Sequence, residues 1–184
     1  MRIKNTENSY GLIAVVFHWI IALGVIGLFA LCLWMDDLEY YDQWYRTAPH
    51  LHKSFGVLLI CLVTVRLGWR LYNTRPAELE SHARWEKIIA RLTHGLFYLL
   101  LFSMFISGYL ITTAKGQALD VFNWFSIPSV VSSGENLEDV AGEIHELIAF
   151  TIIGLAIVHA LAALKHHFID KDKTLLRMLG KSTD

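Results

Sequence analysis

The chain reads as an all-α integral membrane protein, a four-helix bundle with its N- and C-termini cytoplasmic. Three observations lead there. The 184 residues are 54% apolar with a mean hydropathy of +0.42, too greasy for an ordinary soluble domain. The apolar residues gather into four segments, each meeting the roughly 20 residues a helix needs to cross a bilayer. Thirteen of the sixteen Lys and Arg residues fall on one side of the resulting topology. A net charge of −1, with no basic run interleaved with aromatics, gives no footing for nucleic acid.

The first span covers residues 11–35. It is long for the apolar region of a signal peptide, has no clear small-residue cleavage site and contains a histidine, so it reads as a retained helix. The second covers 51–71 and the third 88–113. Both are interrupted by isolated polar residues that a bundle interior accepts and a lipid-facing surface does not. The fourth covers 141–167. Arg2 and Lys4 precede the first span. Arg66, Arg70, Arg75, Arg84, Lys87 and Arg91 surround the second connection, and Lys165, Lys171, Lys173, Arg177 and Lys181 fill the tail. Only Arg46, Lys53 and Lys115 lie opposite, which sets the orientation.

The first outer connection is acidic and aromatic (DDLEYYDQWYRTAP). The second, 114–140, holds VFNWFSIPSVV before an acidic run, and its Phe122, Trp124 and Phe125 point to a short element at the membrane interface. No repeat or second domain is evident, so 1–184 reads as a single domain. Cys32 and Cys61 lie in apolar segments and read as packing.

Nine histidines are the unusual feature. His145 and His159 sit 14 residues apart in EIHELIAFTIIGLAIVH, within about 40° of whole turns and roughly 21 Å apart along one helix face. Two imidazoles at two depths on one transmembrane face point to two stacked haems. The topology sorts the rest by depth. The outer layer offers His52 and His145, with His50 nearby. His50 follows Pro49 and cannot share a helix face with His52. Gly56, one turn from His52, would let a flat macrocycle approach the backbone.

The inner layer offers His18, His94 and His159. His18 is preferred over His94 as the partner of His159, although spacing leaves both open. Arg66 lies on the His52 face at the inner depth, where it can pair with a haem propionate or simply snorkel. Any of these histidines can instead bond across helices or line a proton path. His94 reads as a core or quinone-site residue, and His82, His166 and His167 as solvated.

FH18W in the first span, H52KSFG opening the second, H145E opening the fourth and H159ALAALKHHFIDKDKTLLRM closing it resemble the bacterial cytochrome b561 family. The likeness covers nearly the whole chain and is most specific in the basic tail. It extends in fold to the cytochrome b subunits of membrane hydrogenases and formate dehydrogenases. The resemblance implies a four-helix protein of the bacterial inner membrane with two b haems, ligated by His18 with His159 and His52 with His145. It also implies exchange with the quinone pool, and in one branch superoxide oxidation. The acidic outer loops offer no evident funnel for an anion.

The expected function is transmembrane electron transfer between the quinone pool and an outer donor or acceptor, either superoxide or a periplasmic redox protein. His94 is the candidate quinone contact. The alternative is a membrane-anchor subunit of a larger oxidoreductase.

Overall fold

A computed structural model describes residues 2–79, 81–131 and 136–181. The order is α1 (Leu12–Asp36), α2 (Thr47–Tyr72), α3 (Arg84–Thr113), β1 (Leu119–Val121), β2 (Phe125–Ile127), α4 (Leu137–Phe168) and α5 (Thr174–Met178). α1 to α4 are each long and apolar enough to cross a membrane. Part of the acidic end of the second outer connection, residues 132–135, lies outside the described residues.

α2, α3 and α4 begin where local chemistry lets them, four residues earlier than hydropathy marks. α2 starts at Thr47 and carries Pro49 in its first turn, where the missing N–H has no intrahelical partner to lose. α3 starts at Arg84 because Glu86 reaches back and accepts the Ala83 backbone N–H at 2.9 Å, half of a capping box. α4 opens with Glu138 and Asp139 in its first turn and closes with Lys165, His166 and His167 in its last, both in the sense the helix dipole favours.

The chain divides into two compact units. The first comprises Met1–Ala22, Leu62–Tyr98 and Ile153–Asp184; the second comprises Leu23–Cys61 and Leu99–Ile152. Each long helix supplies residues to both.

In the first unit the termini are tied in. The Trp19 indole N–H donates to the Met178 carbonyl at 2.8 Å, the Arg177 guanidinium donates to the Ala77 carbonyl at 2.8 Å, and the Ala77 amide donates to the Glu7 carbonyl at 2.7 Å. Beyond α4 the chain turns through Lys171, which has φ 56, and closes with the Asp172 amide on the His166 carbonyl at 3.0 Å. Burial pushes the Asp172 carboxyl up, but hydrogen bonds from Thr174 and His82 and the charge of His166 together hold it below the usual carboxylate range. His82 and His166, read from sequence as solvated, are half-buried in this turn.

In the second unit the expected interfacial element is a β-hairpin. Phe122 and Asn123 both take left-handed φ (51 and 57), and the Trp124 amide closes the turn on the Val121 carbonyl at 2.9 Å. Asn suits that conformation and Phe does not. Phe122 is held there by its amide, which donates to the fully buried Ser54 hydroxyl at 3.0 Å, and by its ring against Phe55 at 5.1 Å. Leu119 and Val121 pack with Val57 into a small core. Elsewhere large apolar side chains face outward, among them Leu99 (63% exposed) and Leu147 (68%), as lipid contact requires.

Candidate haem sites

An imidazole nitrogen binds a metal at about 2 Å and lies about 1.1 Å from its ring centre, so two rings on opposite sides of one ion have centres about 6 Å apart. In the second unit, His52 of α2 and His145 of α4 have ring centres 6.3 Å apart with 68° between planes. In the first unit, His18 of α1 and His159 of α4 have centres 6.3 Å apart with 63° between planes. All four side chains are half-buried.

Around His145 the sequence reading missed two residues. The Ser107 hydroxyl donates to the Met104 carbonyl at 3.0 Å and lies 3.0 Å from His145 Nδ1, from which it can accept. A Cβ on Gly108 would come 3.0 Å from His145 Cε1, so any side chain there would press on this imidazole. The SG pair in the bulky run LLLFSMFISGYL was the available signal. The His145 ring also faces the Met104 backbone and the His52 ring the Leu28 backbone, and His52 Nδ1 is buried without a hydrogen-bond partner. Orientation of the second ring nitrogen by backbone or hydroxyl groups is the usual support of a ligating histidine, leaving Nε2 for the metal. Gly56 and Gly142 are half-buried, yet a Cβ on either would meet nothing within 4 Å. Open space beside the backbone near each histidine is what a flat macrocycle fills. His50 lies apart from the pair, with Nδ1 3.8 Å from Asp120.

The pair in the first unit has different company. His18 Nδ1 is 3.3 Å from Arg66 Nη2. A guanidinium can only donate, so this contact requires the proton of neutral His18 on Nε2, and ligation through Nε2 would release Arg66. Arg66 also lies over Tyr98, 5.9 Å from the ring centre, with Arg70 at 5.8 Å from the same ring. No carboxylate among the described residues pairs with Arg66. His94 of α3 has its ring centre 5.6 Å from that of His159, and Phe97 lies 5.7 Å from it.

Four membrane-grade helices that bring imidazoles together in pairs, with space beside them, define a membrane redox protein built to hold a flat metal cofactor. The comparisons name the family. Residues 9–181 match the prokaryotic cytochrome b561 family. Cytochrome b561 homolog 2 of Escherichia coli (strain K12) is 47% identical over 183 residues, covering 100% of this chain and 97% of that protein. The probable superoxide oxidase CybB of Yersinia pestis is 29% identical (95% and 98%), and cytochrome b562 of Cereibacter sphaeroides is 30% identical (94% and 96%). The chain belongs to the prokaryotic cytochrome b561 family: a multi-pass bacterial inner-membrane protein of electron transfer whose cofactor is b-type haem.

Proposed function

We propose that the chain holds two b haems and carries electrons across the membrane between the quinone pool and a donor or acceptor on the outer side. His52 and His145 would hold one haem, and His18 and His159 the other. The observation that carries this reading is the repetition of one arrangement, 6.3 Å between ring centres, in both units. His18 is the partner of His159 because its separation suits opposite faces of one ion, whereas His94 at 5.6 Å is closer than that geometry asks. The asymmetry of Lys and Arg supports cytoplasmic termini, with the His52 pair outer and the His18 pair inner.

When bound, haem would supply reversible one-electron chemistry. The chain's own residues supply the rest. Ser107 and the Met104 carbonyl fix the His145 tautomer, Gly108 sets how close α3 comes, and Arg66 is the partner for an inner propionate. His94 can exchange a proton and is proposed as the quinone contact. Its replacement by Phe should slow quinone reduction while leaving both haems in place; an unchanged rate would remove it from the reading.

Superoxide is the proposed outer donor, on the name of one relative. Two superoxide anions release two dioxygen molecules, and quinone takes the two electrons with two protons to give quinol. A second reading, the anchor subunit of a larger oxidoreductase, is favoured by the exposed Tyr40, Tyr41, Trp44 and Tyr45 on the first outer connection. Purified protein in nanodiscs with ubiquinone, supplied with enzymatically generated superoxide, separates the two. Quinol formation by the isolated chain supports superoxide as donor, and none supports a docked protein. A purified protein with no Soret band would end both.

A further inference from the structure

A second cluster of metal-capable groups lies apart from the histidine pairs, where the turn after α4 meets the segment leading into α3. Asp172 Oδ2 is 2.9 Å from His82 Nε2 and 3.0 Å from His166 Nδ1. One donor atom from each residue falls within 4.8 Å of the others. The side chains of His82, His166 and Asp172 retain 17%, 13% and 6% of their exposure. In a tetrahedral zinc site, bonds of about 2.0–2.1 Å put the ligand atoms about 3.3 Å apart, close to the spacing here.

The orientation of His166 separates a metal site from an ordinary ion pair. Its Nδ1 is buried, 2.9 Å from Asp170 Oδ2 and 3.0 Å from Asp172 Oδ2, yet makes a hydrogen bond to neither. An imidazole that served only to pair with a carboxylate would turn its in-plane N–H onto the oxygen. Neighbouring charges narrow the ligand set. Glu86 and Asp170 both lie on Lys165 Nζ, at 3.0 and 2.6 Å, so a cation already serves them. Asp172 is instead flanked by two imidazoles whose ring centres are 4.4 Å apart. One dication satisfies both nitrogens and the carboxylate together. The remaining oxygen, Asp172 Oδ1, accepts the Thr174 amide at 2.8 Å, the outer contact that orients a ligating carboxylate.

We propose that His82, His166 and Asp172 bind one first-row divalent transition-metal ion of the zinc type. Two imidazole nitrogens and one carboxylate oxygen leave a fourth position for water. The ion staples the connection before α3 to the turn after α4.

Zinc chloride titrated into tag-free, haem-loaded protein in detergent, after chelator treatment, tests this by calorimetry and elemental analysis. One zinc per chain with micromolar or tighter affinity is expected, with the haem bands unmoved. D172N and H82A should each weaken binding by more than about 100-fold, beyond the loss of an outer contact, while H167A binds as before. Absence of stoichiometric zinc, or zinc retained by D172N and H82A, overturns the proposal. If H82A fails to accumulate, the zinc X-ray absorption edge of the unmutated protein decides. A shell with two imidazoles supports the site, and one without imidazole overturns it.

Discussion

His52 and His145 sit among neutral groups, a serine hydroxyl and backbone carbonyls, whereas His18 and His159 sit beside a guanidinium and a third imidazole. The ring separation is the same in both pairs, so ligand geometry does not distinguish the sites; their surroundings do. Neutral acceptors on a ligating histidine fix its tautomer and make it a stronger donor to iron, which favours the oxidised state. A nearby cation disfavours the oxidised, more positive state. The pair in the first unit should therefore hold the haem of higher potential. In the proposed orientation, with that pair inner, this order of potentials would run electrons downhill from the outer side inward.

The largest test of this contrast is loss of a haem. H52A or H145A should leave one haem per chain by pyridine haemochrome assay, with the high-potential signal remaining. H18A or H159A should leave the low-potential one. If H18A keeps both, His94 has taken its place and the comparison must be redrawn. G108A comes next. The added methyl, 3.0 Å from His145 Cε1, should cost roughly 1–3 kcal/mol and deplete only the low-potential haem. R66Q should keep both haems and lower the higher midpoint potential by tens of millivolts, about 59 mV for each tenfold change in the one-electron equilibrium. An unmoved potential in redox titration would leave Arg66 a snorkelling residue. S107A should have the smallest effect, raising the lower potential slightly and loosening that haem by about 10-fold, the mild end of what losing a hydrogen-bond partner of a ligating histidine costs. Equal shifts at both haems would dissolve the distinction.

Much of this was readable before any coordinates, because lipid makes hydropathy and charge asymmetry nearly sufficient to place a span. All four expected spans are present. α2, α3 and α4 each begin four residues before the expected spans, since Thr47, Arg84 and the Glu138–Asp139 pair belong to polar first turns that hydropathy does not register. Paired histidines were legible through the fourteen-residue repeat on one face of α4. Ser107 and Gly108 were not, because no spacing rule links α3 to a histidine on another helix. The short element around Phe122 to Phe125 was legible but its hairpin form was not, because its strands are three residues long and its turn places Phe122 where pattern expects Asn or Gly. His82 and His166 come from distant stretches and read as solvated one at a time, and nothing in the sequence singled out Asp172 as their shared neighbour.

α4 is the last long helix to leave the ribosome, and it carries one histidine of each pair. His18 and His52 are made first and wait for partners roughly 90 to 140 residues later, on the order of 5–30 s at ordinary rates of synthesis. With the proposed ligands, a nascent chain holding three of its four spans would have half of each set and no complete site. Cofactor capture would then be tied to the final insertion event, and a chain stalled before α4 should emerge colourless rather than half-loaded.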